Sequence, residues 1–129
     1  MNQGFGKEYK LCSRKIIDAL FNEGEGIKSY PFMIRYQITS LPKEIPFQIV
    51  ITAPKRNFKR AVDRNRIKRL MREVFRKNRH QLEERLQKSN QQLALFIMYT
   101  GREMPDYSLI ELKLQKALLK LNEALQIEN

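Results

Sequence analysis

Guanidinium and ammonium groups are the side chains best placed to do chemistry in this chain, and that chemistry is the binding of phosphate. Twelve of the 25 Lys and Arg residues fall between Lys55 and Arg79, in KRNFKRAVDRNRIKRLMREVFRKNR, opposed only by Asp63 and Glu73. This window carries +10 of a formal +11, and the other 104 residues, with 13 basic and 12 acidic side chains, are nearly neutral. So concentrated a basic field points to a polyanion, because each phosphate neutralised by Lys or Arg releases condensed counterions. A nucleic-acid-binding surface is expected.

Other chemistries are poorly supplied. A nuclease acting through protein groups alone needs clustered carboxylates for magnesium or a histidine acid–base pair. Here Glu83-Glu84, Glu103 and Asp106 are scattered, and His80 is the single histidine. The lone Cys12 and that histidine cannot build a tetrahedral zinc site, and no Gly-rich phosphate loop is present. No catalytic or metal-ligating side chain is expected.

A chain of 129 residues with 42% hydrophobic and 30% charged residues reads as one folded domain over 1–129, with residues 1–8 flexible. No run approaches the roughly 18–20 apolar residues of a membrane span, so no membrane partner is expected. The opening MNQGFGKEYKLCSRK has no apolar core of a secretory signal. A single thiol adds to these signs, and the expected location is the cytoplasm.

Ser13 reads as the cap of a short helix to about Glu23, with Ile16, Ile17, Leu20 and Phe21 at helical spacing and Gly24 and Gly26 as stops. From Pro31 to Thr39 strict alternation sets Phe32, Ile34, Tyr36 and Ile38 against Met33, Arg35, Gln37 and Thr39, the mark of a half-buried strand. A turn at 41–44 leads to a second strand through Phe47, Ile49 and Ile51, ended by Pro54. The basic window then opens a helix from Ala61 or Val62 to about Leu86. Residues 93–100, LALFIMYT, read as a strand covered on both faces. A last helix is expected from Ser108, where Ser108 and Glu111 form a capping box and Leu114, Ala117, Leu118, Leu121 and Leu125 a core stripe. The class is α+β, with a crossover through the basic helix.

At 100° per residue, Ile67, Leu70, Met71 and Val74 gather on one face of that helix, with Phe75 at the border. Asn65, Arg69, Arg72 and Arg76 project opposite, with Lys68 and Arg66 on the rims. An ordinary solvated face would intersperse acids at i,i+4, and Glu73 is the only acid between Arg64 and Arg79. The planar fork of Arg grips two phosphate oxygens or stacks on a base, whereas Lys is a point charge. Asn65 fits either an N-terminal cap partner or an amide that bonds a base edge or ribose. Lys55, Arg56, Lys59 and Arg60 precede the helix, whose exposed amides add to their field.

The run APKRNFKRAVDRNRIKRLMREVFR closely resembles the signature of the protein subunit of bacterial ribonuclease P: Lys55-Arg56, Ala61, Arg64-Asn65-Arg66-Ile67-Lys68-Arg69, Arg72 and Phe75-Arg76. The match covers about 22 contiguous residues, and KIIDALFNEG resembles the family's first helix. The resemblance implies a small mixed sheet packed by three helices, in the order α-β-β(-β)-α-β-α, with a left-handed β-α-β crossover against the general rule. It implies an accessory subunit of an endoribonuclease that forms the mature 5′ end of tRNA. Catalysis belongs to a large RNA, and Mg2+ is held mainly by that RNA and the substrate. The implied partners are the catalytic RNA and the 5′ leader of precursor tRNA, with no obligate protein partner.

Carried over by position, Arg64, Asn65, Arg66, Lys68, Arg69, Arg72 and Arg76 are expected RNA contacts, as are Lys55, Arg56, Lys59 and Arg60 ahead of them. Phe21 matches an aromatic at the end of the first helix, where it either stacks on an unpaired base or packs in the core. Ile17 stands where the family commonly has a second aromatic. Either Arg35 or Tyr36 lines this leader cleft, because a one-residue shift in a strand swaps its faces. A structural RNA-binding protein, such as a ribosomal protein, would explain the charge equally well and fails only on the Arg-Asn-Arg signature.

Overall fold

The structure, a computed structural model, describes residues 9–127; the expectation for residues 1–8 lies outside them. The element order is α1 (Arg14–Glu23), β1 (Glu25–Ser29), β2 (Phe32–Ile38), β3 (Phe47–Thr52), α2 (Ala61–Asn78), α3 (His80–Lys88), β4 (Leu93–Tyr99) and α4 (Tyr107–Ile127). The four strands form one mixed sheet in the order β1-β2-β4-β3. β1 pairs antiparallel with β2 and β2 with β4, while β3 runs parallel to β4. Parallel neighbours need a crossover, and α2 and α3 supply it.

Alternation along the strands gives the sheet two oily faces. Phe32, Ile34, Tyr36, Phe47, Ile49, Leu93, Leu95, Ile97 and Tyr99 point into the larger core, beneath α2, α3 and α4. The other face carries Ala94 and Phe96, with Leu20 of α1, and Met33, Val50 and Met98 around them. β4 is thus apolar on both sides, as its unbroken run requires.

Three local expectations are corrected. The long helix predicted to Leu86 is two helices, making four among the described residues, with Arg79 at the join (φ −81°, ψ −16°). The Asn78 side-chain amide donates to the Val74 carbonyl at 2.8 Å, placing a competing bond in the last turn of α2. Gly26 is not a helix stop but part of β1, the additional strand, whose Gly26 pairs with Arg35. Finally, α4 begins one residue early, and its cap is Asp106, whose Oδ1 accepts from the Leu109 amide at 2.8 Å. The Ser108–Glu111 capping box is therefore absent. Replacing Asp106 by Ala is expected to cost about 0.5–2 kcal/mol, and Ser108→Ala less than about 0.5 kcal/mol, as measured by thermal unfolding. At α1, by contrast, Ser13 is the cap as expected, accepting from the Ile16 amide at 3.3 Å.

Candidate nucleic-acid interface

The underside of α2 fixes what its upper side displays. Ile67, Met71, Val74 and Phe75 are buried against the sheet and α4, with Phe75 edge-on to Phe47 (centroids 5.3 Å apart, planes at 87°). With that stripe anchored, helical geometry turns Asn65, Arg66, Arg69 and Arg72 to solvent, where all four are exposed, while Lys68 is half-buried on the rim. Among the described residues none of these five forms a salt bridge. Asn65 is exposed and the N-cap is Arg60, so Asn65 does not act as the cap partner.

Two arginines of the predicted row are engaged within the protein. Arg64 is half-buried, and its Nη1 donates to the carbonyls of Phe58 (2.7 Å) and Lys59 (2.9 Å), tying the preceding loop to the first turn of α2. Arg76 Nη2 donates to Glu73 Oε1 at 2.6 Å. That bond holds the Glu73 carboxyl below the usual carboxylate range, so the local charge of Arg76 is offset. The acid-free row therefore runs from Asn65 to Arg72.

The loop before α2 is built to present charge. Phe58 is buried and packs on Tyr99, while Asn57 Nδ2 donates to the Gly101 carbonyl at 3.3 Å. The amides of Asn57 and Phe58 both donate to the Pro54 carbonyl (3.2 Å each), closing a turn. With these residues turned inward, Lys55, Arg56, Lys59 and Arg60 are left exposed beside the helix N-terminus. Arg60 Nε lies 3.8 Å from Asp63, an exposed pair of little energetic weight.

A second feature lies on the other side of the sheet, beside α1. Phe21 is 43% exposed, and its ring stands nearly perpendicular to Phe96 (centroids 4.9 Å apart, planes at 70°). Ile17 is half-buried in the same cluster. The strand ambiguity resolves by register: Arg35 lies opposite Phe96 on this face, whereas Tyr36 is 5% exposed in the larger core. The expectation that Tyr36 lines the cleft is corrected accordingly. Lys28, paired with Met33, presents its exposed side chain on the same face.

The family model described as Ribonuclease P matches residues 5–122. The chain belongs to the ribonuclease P protein family. Its relatives include the ribonuclease P protein component of Porphyromonas gingivalis, 33% identical over 118 residues, covering 92% of this chain and 86% of that one. The ribonuclease P protein component of Chlorobium phaeobacteroides is 30% identical over 125 residues, covering 88% and 86%. Among solved structures, the Staphylococcus aureus RNase P protein superposes with a TM-score of 0.66 at 19% identity, covering 89% of this chain and 96% of that one. The Thermotoga maritima RNase P protein gives 0.64 at 18% identity, with the same coverage. At such identities the likeness establishes the fold.

A ribonuclease P protein component serves a holoenzyme, an endoribonuclease of tRNA 5′ processing in which RNA carries out catalysis. The ribosomal-protein alternative is not favoured. Ribonuclease P is metal-dependent, but among the described residues no three of His, Cys, Asp and Glu are grouped to hold a metal ion. Among the described residues no helix is long and apolar enough to cross a membrane.

Sequence reasoning missed Asn57, Lys28, and the way Arg35 is used. Asn57 carried no signal, because its partners lie more than 40 residues away at Thr100 and Gly101. Lys28 lies in a strand whose residues, EGIKS, show no alternation.

Proposed function

We propose that this protein holds RNA on both sides of its sheet. Asn65, Arg66, Lys68, Arg69 and Arg72 of α2, with Lys55, Arg56, Lys59 and Arg60 ahead of it, grip the backbone of the catalytic RNA. The cleft beside α1 receives the single-stranded 5′ leader of precursor tRNA, with Phe21 as the stacking platform, Ile17 one turn earlier on the helix and Arg35 alongside. Arg64 orders the loop, and Arg76 contributes less because of Glu73. Mg2+ is placed with the RNA and substrate phosphates, the holoenzyme in the cytoplasm, and no further protein partner is required.

The observation carrying this reading is the exposed row from Asn65 to Arg72, unopposed by acid among the described residues on a helix whose other face is buried. Like charges so spaced destabilise an isolated helix, and RNA phosphates relieve that repulsion. For the cleft, an aromatic ring backed by Phe96 yet 43% exposed suits an unpaired base better than it suits a core.

Phe21→Ala tests the cleft. In the holoenzyme it is expected to weaken binding of leader-bearing precursor tRNA by about 1–3 kcal/mol and to leave mature tRNA binding unchanged. Equal losses for both ligands would overturn the leader assignment.

A further inference from the structure

We infer that Arg35 is a positioning residue of the leader cleft: it fixes Phe21 through the carbonyls at the end of α1 and leaves RNA contact to the ring. This rests on the leader reading above and extends it. Arg35 Nε donates to the Leu20 carbonyl at 3.3 Å, and Nη2 donates to those of Phe21 at 3.1 Å and Gly24 at 2.9 Å. One guanidinium thereby serves three carbonyls around the end of α1: that of Leu20, which also accepts the Gly24 amide at 3.0 Å, that of Phe21 in the last turn, where intrahelical partners run out, and that of the C-cap Gly24.

The same group acts on the ring itself. Its central carbon lies 5.8 Å from the Phe21 centroid, within cation–π range. Phe96, opposite Arg35 in the β2–β4 register, approaches the ring from β4. Phe21 is therefore held by side chains of two strands while keeping a surface free for a ligand.

The backbone is shaped to allow this clamp. A Cβ at Gly24 would lie 2.4 Å from the Leu20 carbonyl and 2.9 Å from that of Tyr36, so the end of α1 sits directly on β2. Across the strand pair, Gly26 places no side chain over the guanidinium. The role needs the planar fork of Arg: an ammonium concentrates its donors at one atom and cannot reproduce bonds from both Nε and Nη2. With three N–H groups committed to α1, Arg35 serves the cleft chiefly by holding α1 and its ring in a preformed pose, which lowers the ordering cost of binding.

Arg35→Ala and Arg35→Lys, each alone and combined with Phe21→Ala, test the assignment in holoenzyme reconstituted with the cognate RNA. Affinities for precursor and mature tRNA are measured across a salt series. Arg35→Ala is expected to weaken precursor tRNA about tenfold, the scale of one lost base stack, with no change for mature tRNA. The loss should vanish in the Phe21→Ala background, the salt slope should hold, and Arg35→Lys should fail to restore affinity even if the alanine variant does not fold. Equal losses in both backgrounds, a slope lowered by about 0.7, or rescue by lysine would overturn the assignment alone. A Phe21→Ala change without effect on precursor tRNA would overturn both this role and the leader reading.

Discussion

Replacing Arg66, Arg69 and Arg72 together by alanine is expected to weaken binding to the RNA subunit by about 100- to 500-fold at roughly 0.1 M salt. The magnitude follows from counterion release. Each phosphate contact contributes about 0.7–0.9 to the slope of log affinity against log salt, so three contacts amount to roughly 2–2.7 decades between about 0.1 M and 1 M. The slope itself should fall by about 2.1–2.7. All three side chains are exposed and form no salt bridge among the described residues, so their removal relieves repulsion without opening the core. Thermal stability should hold within about 0.5 kcal/mol. Arg76→Ala offers an internal comparison and should lower the slope less, because Glu73 already opposes its charge. An unchanged slope in the triple variant would remove the phosphate-gripping role of α2.

Phe75→Ala carries the largest expected cost to the fold, about 3–5 kcal/mol. The ring is fully buried and meets Phe47 edge to face, so truncation opens a cavity between α2 and β3. Urea unfolding gives the comparison with Phe21→Ala, whose ring is 43% exposed and which should lose far less stability. One phenylalanine supports the scaffold, and the other keeps an exposed ring for the stacking role proposed above. A small loss at Phe75 would mean that α2 is not seated by this contact.

The elements that could be read from the chain were those whose signal is local. Alternation gave β2 and β3, the unbroken apolar run gave β4, and the Ile67–Met71–Val74 spacing gave the seated face of α2. What escaped was decided at a distance. Leu82 and Leu86 continue the stripe of a straight helix, so periodicity holds no trace of the join at Arg79. β1 has no alternating pattern of its own and exists because β2 offers it an edge. Both Ser108 and Asp106 are good caps, and only the backbone decides between them.

The proposed leader cleft shows the same division. Phe21 could be singled out by type and position, but its exposure depends on how α1 lies across β4. Whether Arg35 or Tyr36 faces it was undecidable from alternation, since each lies on a legitimate strand face. Arg64 and Arg76 belong to the charged motif by sequence, yet one is drawn to backbone carbonyls and the other to Glu73.

Mooring the arginine-bearing helix on an oily floor has a thermodynamic consequence. Many arginine-rich segments meet RNA as disordered coils and must order as they bind. Here the spacing of the cations is set beforehand by Ile67, Met71, Val74 and Phe75, so the proposed grip on RNA requires no coil-to-helix transition of α2, and the heat-capacity change of binding should carry no contribution from folding that helix.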